Sequence, residues 1–204
     1  MAALLLAGCG GGGGGGSKGN DKIAGADTGG SASASPSGSA TTTTGRPKIA
    51  FPSDAKNVFD NWKTGDGVED AVLADSALSV NSVDEAIFKG STSTKALGFY
   101  NTGKALSDSI AYVQGYIKKH HTWIGETRYF DAKVSVSGAK KAYVTYCSDE
   151  SKSYIKEKKT GKVKNVPTTA DSYVLYHTAL AKNAADVWQT TDVASNRGAK
   201  ECQP

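Results

Sequence analysis

The side chains best able to do chemistry in this 204-residue chain are few and scattered: three histidines, three cysteines and a set of unevenly placed carboxylates. His120 and His121 are adjacent, so on a helix they would point about 100° apart and chelate one ion poorly. There is no Cys-x-x-Cys, and no histidine lies close to Cys147 or Cys202 in sequence. A thiolate metal or redox centre is therefore not expected, and neither is a bound cofactor. No Gly-x-Ser-x-Gly nucleophile elbow occurs, and no complete Gly-x-x-x-x-Gly-Lys-Ser/Thr phosphate loop. Asp149-Glu150 could be a carboxylate dyad or the polar end of a strand. Tyrosine is plentiful, and Tyr129, Tyr143, Tyr146, Tyr173 and Tyr176 fall in strand-like segments. Such rings pack across strands, or line a cleft in which the hydroxyl still hydrogen-bonds. Tyr146, Tyr173 and Trp188 are the expected lining.

Charge is segregated. Asp54 to Glu85 is acidic, whereas Lys133 to Lys164 is basic and holds the cluster Lys152, Lys156, Lys158, Lys159, Lys162 and Lys164. Lys156, Lys158, Lys159 and Lys162, around a turn at Thr160-Gly161, could contact an anionic cell-wall polymer or lipid headgroups. The competing use is an edge strand kept from aggregating by its lysines. The net charge of +4 is too mild to argue for nucleic acid.

The first residues supply an address. A short apolar run ends in Leu6-Ala7-Gly8-Cys9, and small residues before a cysteine suit a signal peptidase. Leu-Ala-Gly-Cys resembles the lipobox of bacterial lipoproteins. That resemblance implies a lipid (palmitate among its acyl chains) on Cys9 and a site of action on the outer, extracellular face of the cell membrane. No Lys or Arg precedes Cys9, so translation is expected to begin upstream of Met1. Residues 10–46, rich in Gly, Ser, Ala and Thr, have almost nothing to bury and read as a flexible tether. Residues 47–204 are enough for one domain with a sizeable core. With Cys9 lipidated, Cys147 and Cys202 are left as an even pair, and an oxidising compartment favours a disulfide. Closing that loop of about 55 residues would stabilise the fold by roughly 4 kcal/mol.

The elements that must position these groups come in two halves. Asp54 caps an expected short helix carrying Val58, Phe59 and Trp62, ended by Gly65 and Gly67. A second helix runs from about Val68 to Gly90, with Val72, Val80, Val83 and Ile87 on one face. A third runs from about Lys95 to His121, with Leu106, Ile110, Val113 and Ile117 as its stripe. After Gly125 the period drops to two. Strands are expected around Phe130–Val136, Ala142–Cys147, Ser153–Lys158, Tyr173–Leu180 and Val187–Val193. Helices followed by a strand meander predict an α+β domain with helices on one face of an antiparallel sheet.

That order resembles the NTF2-like (SnoaL-like) cone. The segments Ala96-Leu97-Gly98-Phe99-Tyr100, Thr145-Tyr146-Cys147-Ser148-Asp149-Glu150-Ser151, Lys159-Thr160-Gly161-Lys162, Trp188-Gln189-Thr190, Arg197-Gly198-Ala199 and Cys202-Gln203-Pro204 are similar to those of uncharacterised actinobacterial secreted lipoproteins. The resemblance implies a pocket between helices and curved sheet. The lack of any convergent Asp/His/Cys constellation suggests a non-enzymatic domain that binds a ligand or an envelope protein. Enzymes of this fold often use an Asp–His pair, and His177 with Asp131 or Asp149 is the pair this sequence offers. A homodimer formed through the sheet is the third expectation.

Overall fold

The computed structural model describes residues 45–204. The Cys9 and tether expectations, apart from residues 45 and 46, lie outside the described residues. The domain runs β1 (Ala55–Phe59), α1 (Gly67–Lys89), α2 (Lys95–Tyr100), α3 (Gly103–Lys118), β2 (His121–Ser137), β3 (Lys141–Glu157), β4 (Val163–Lys164), β5 (Tyr173–Lys182) and β6 (Trp188–Arg197). The strands form one curved sheet in the order β1-β2-β3-β5-β6, with β4 paired to β3. Neighbours are antiparallel except β1, which lies parallel to β2. The expected α+β class, with helices packed on one face of a curved sheet, is present.

The first expected helix is instead a strand. Asn57, Val58 and Phe59 pair with Thr127, Arg128 and Tyr129 of β2. An apolar cluster this short fits either period, and the free edge of β2 decides the matter. Trp62 still turns inward, donating through Nε1 to the Leu73 carbonyl at 2.7 Å.

Helix α1 has the expected bounds because both ends are capped. Asp66 Oδ1 accepts from the backbone N–H of Val68 at 2.8 Å and of Glu69 at 3.0 Å. Gly90 closes the other end in the left-handed region at φ 63°, as a C-terminal cap requires. The expected third helix is two helices. Asn101 breaks it with extended backbone and a fully buried side chain. Its side chain accepts from Ser79 Oγ at 2.8 Å and donates to Ser82 Oγ at 3.0 Å, both on α1. The next residue donates its backbone N–H to Thr190 of β6 at 2.9 Å. Satisfied buried polar groups thus outweigh continuous helix.

Strands β2 and β3 are 17 residues each, so the two strands expected around 142–158 are one. β2 bends at two irregularities, Glu126/Arg128 and Phe130/Lys133, the second holding Asp131 at φ 52°. Gly125, at φ 96°, approaches Lys152 so closely that a Cβ there would run into its carbonyl.

Two main apolar clusters fill the space between helices and sheet. One joins Val72 and Leu73 to Tyr129, Val144, Tyr146, Leu180 and Trp188. The other joins Ala86, Ile87, Leu97 and Val113 to Trp123. A smaller cluster lies on the outer face of the sheet, where Cys147 and Cys202 form the expected disulfide with Cα atoms 5.5 Å apart. Phe130, Tyr173 and Leu175 pack around it.

Candidate functional site

Alternation along the strands sorts the candidate residues onto two faces. On β3, Ala142, Val144, Tyr146 and Ser148 face the helices, so Thr145, Cys147 and Asp149 face outward. His177 pairs with Thr145 and is exposed on the outer face, its Nδ1 3.1 Å from Thr145 Oγ1. Asp149 accepts from the Ser151 backbone N–H at 2.9 Å, and Asp131 is exposed at its bulge. No histidine contacts a carboxylate among the described residues. The Asp–His pair therefore has no place in the interior. The expected lining also divides. Tyr146 faces inward, Tyr173 belongs to the disulfide cluster outside, and Trp188 is a buried core residue.

The interior holds a different constellation, built around Asp84 of α1. Asn57 of β1 donates through Nδ2 to Asp84 Oδ2 at 2.7 Å, and Trp123 of β2 donates through Nε1 to Oδ1 at 3.0 Å. Two donors favour the carboxylate, but burial outweighs them. Burial, with the negative charge of Glu150 adding to it, pushes the Asp84 carboxyl up to about 7.

Phenols surround it. Phe59 stacks on Tyr129 at 4.9 Å between centroids, and Tyr146 stacks on Tyr176 at 5.1 Å. Trp62 meets Tyr146 edge-on at 5.3 Å. From α3, Tyr112 and Tyr116 bring their hydroxyls within 3.3 Å of each other. Burial raises the pKa of Tyr112, Tyr129, Tyr146 and Tyr176, which keeps the four phenols neutral. Each is a hydrogen-bond donor and acceptor at the end of an apolar plate.

A charged pair closes the other side. Arg197 of β6 grips Glu150 of β3 with both ends of its fork, Nη1 at 2.8 Å and Nη2 at 3.2 Å. Burial works against the guanidinium charge, but Glu150 more than compensates, and Arg197 stays protonated. Among the described residues, the sealed side-chain polar atoms without a partner are Asn57 Oδ1 and Trp188 Nε1. Tyr129 and Tyr146 are themselves buried beside Asp84, whose charge adds to the burial that raises their pKa. An open groove of about 510 Å³ lies on the other side of Asn57, lined by Arg46, Ile49, Phe51, Leu78, Asn81 and Tyr100. The site is thus a packed aromatic cluster with a near-neutral acid at one side and a fixed ion pair at the other. It can orient a small molecule by hydrogen bonds, and Asp84 can take or give a proton near neutral pH.

The sequence carried one overlooked signal for Asp84. It lies four residues after Val80 and three before Ile87, inside the apolar stripe of its helix rather than opposite it. Glu150, Arg197 and the pairing of Tyr146 with Tyr176 had no such signal, because the sheet register brings them together.

The lysine hairpin is also sorted. Lys156 pairs with Asp54 at 3.1 Å. Lys158 donates to the carbonyls of Ile87 and Phe88, both at 2.9 Å, and so caps α1 instead of facing a surface partner. Lys159 and Lys162 are exposed. No group of three or more His, Cys, Asp or Glu among the described residues is placed to hold a metal ion. Lys104, which completes a Gly98-x-x-x-x-Gly103-Lys104 spacing, pairs with Asp108 at 2.6 Å and Asp192 at 3.4 Å, and Ala105 follows it. That segment bridges two helices and is no phosphate loop.

No protein-family model matches the sequence, and no curated protein matches it. Among solved structures, the chain is similar to the intermembrane-space region of the chloroplast protein ARC6, at 8% identity and a TM-score of 0.38, covering 66% of this chain and 98% of that one. It is similar to a candidate ketosteroid isomerase from Shewanella frigidimarina at 12% identity and a TM-score of 0.35, covering 64% and 98%. A ketosteroid isomerase-like protein from Erwinia carotovora atroseptica gives 15% identity and a TM-score of 0.37, covering 60% and 92%. At these values nothing about ligand, activity or partner follows. The α+β architecture rests on this chain's own helices and strands.

Proposed function

We propose that the domain is a binding module for an uncharged, partly aromatic small molecule. The ligand lies between the helices and the inner face of the sheet. The observation that carries this reading is the pair of buried phenols, Tyr129 and Tyr146, set beside the raised carboxyl of Asp84. A phenol plate offers both stacking area and one directed hydrogen bond. Of the acid–base alternative, neither His177 nor Asp131 nor Asp149 lies in the interior, and Asp84 stands there without a histidine partner.

The location belongs to the same proposal: a lipid on Cys9 holds the domain at the outer face of a membrane. Leu6-Ala7-Gly8-Cys9 followed by the glycine tract supports it, as does the Cys147–Cys202 disulfide, which suits an oxidising compartment.

The test is a titration of the unlipidated chain with 2-naphthol, followed by the fluorescence of the probe. Saturable binding is expected, with affinity falling about 2- to 10-fold in Tyr146→Phe, the loss of one hydrogen bond. Absence of saturable binding, or identical affinity in Tyr146→Phe and Asp84→Asn, contradicts the reading.

A further inference from the structure

A cationic patch that the sequence shows only as two separate runs is assembled at one end of the sheet. The backbone N–H of Lys158 donates to the carbonyl of His120 at 2.7 Å, and His121 pairs with Glu157 across β2 and β3. The C-terminal end of α3, with Lys118 and Lys119, therefore sits beside the β3–β4 hairpin with Lys159, Lys162 and Lys164. Burial lowers the pKa of His121, and the charges of Lys164, Lys119 and His120 lower it further, which places all of them together. Lys118, Lys119, Lys159, Lys162 and Lys164 are exposed and form no ion pair among the described residues. Glu157 is the one carboxylate of the hairpin itself, and it accepts from Thr160 Oγ1 at 2.8 Å.

Lysines that merely protect an edge need no apolar neighbours. This hairpin has two. Val163 is 41% exposed and Val166 49% exposed, interleaved with Lys162 and Lys164. Few large apolar side chains of the domain are so open, the others being Val68 and Tyr143. Cations spread around two projecting valines match a bilayer better than a soluble polyanion, which offers charge but no apolar layer.

We infer that this patch is a membrane-contact surface, which docks the domain on a bilayer rich in anionic phospholipid. Lys159, Lys162 and Lys164 meet the headgroups, and Val163 and Val166 enter the interface. The contact is independent of any lipid on Cys9. It would hold the domain in one orientation, where a tether alone lets it swivel.

The test uses the full chain carrying Cys9→Ser, so that no anchor contributes, in sedimentation with phosphatidylcholine vesicles with and without phosphatidylglycerol. Binding is expected only with phosphatidylglycerol and should weaken as salt rises. The triple variant Lys159→Ser/Lys162→Ser/Lys164→Ser should lose roughly 100-fold in partition, about five-fold per lysine. Val163→Ser/Val166→Ser should bind several-fold more weakly with the same salt dependence. Every substituted side chain is exposed, and circular dichroism confirms that the variants fold. No binding to the anionic vesicles, or an undiminished triple variant, overturns the inference. So does a valine variant that binds like the parent, because the patch would then recognise charge alone.

Discussion

Asp84 shows how a local balance sets the character of the site. Two hydrogen bonds, from Asn57 and Trp123, would ordinarily hold a carboxyl low, yet burial lifts it to about 7. The consequence for stability has a definite sign. The unfolded chain ionises this group from about pH 3.9 upward, whereas the folded chain does so only near neutrality. Stability from this residue is therefore fully present in acid, falls as pH rises between those limits, and changes no further above them. Urea unfolding of the parent and of Asp84→Asn should show the parent losing ground from about pH 4 to about pH 7, by up to a few kcal/mol, then running parallel. Parallel profiles over the whole range would mean that Asp84 is an ordinary solvated acid. Charge elsewhere behaves differently. Lys56 and Glu126, 2.8 Å apart, are a surface pair and contribute little.

Elements here are decided by what they bury together. Asn101 is the clearest case: it ends α2, stitches α1 through Ser79 and Ser82, and lets the following residue bond β6. Asn101→Ala should cost about 2–3 kcal/mol in urea unfolding, since it strands buried polar partners. A loss below about 0.5 kcal/mol would show that the break needs no such stitching. The same element explains why the sequence misled. The stripe Leu106–Ile117 identifies α3 correctly, but nothing in it shows that a buried asparagine interrupts the turn before Gly103. α1 was readable because its apolar spacing and its Gly90 stop signal are both local. β1 was misread because Val58, Phe59 and Trp62 fit either period, and only pairing with β2 resolves them. β3 was cut in two because Ser148 to Ser153 is polar enough to read as a turn. In the fold, Ser148 is buried and Glu150 is held by Arg197, so both polar side chains sit within one continuous strand. Tyr146 lies on the inner face, and the face His177 takes is set by strand register, which the sequence does not show.

For the whole molecule, the arrangement puts different tasks on different surfaces. The outer face carries the disulfide, which fixes the C-terminal segment to β3. One end of the sheet gathers the lysines and exposed valines. The N-terminal segment is held across α1, with Arg46 paired to Asp75 and the Ala50 backbone N–H donating to Glu85 at 3.1 Å. The start of the described residues is thereby fixed to buried carboxylates of α1. The aromatic cluster lies between these features and draws on groups from α1, α3 and five strands. Its central acid is its most telling reporter, because a ligand that excludes water there and gives the carboxylate no new donor raises the pKa further. The direct measurement is a carbon-13 NMR titration of the Asp84 carboxyl, with and without 2-naphthol. A midpoint near pH 7 in the free protein, moved upward by the probe, is the predicted result. A midpoint in the ordinary range near pH 4, unmoved by the probe, would contradict the aromatic cluster as a binding site.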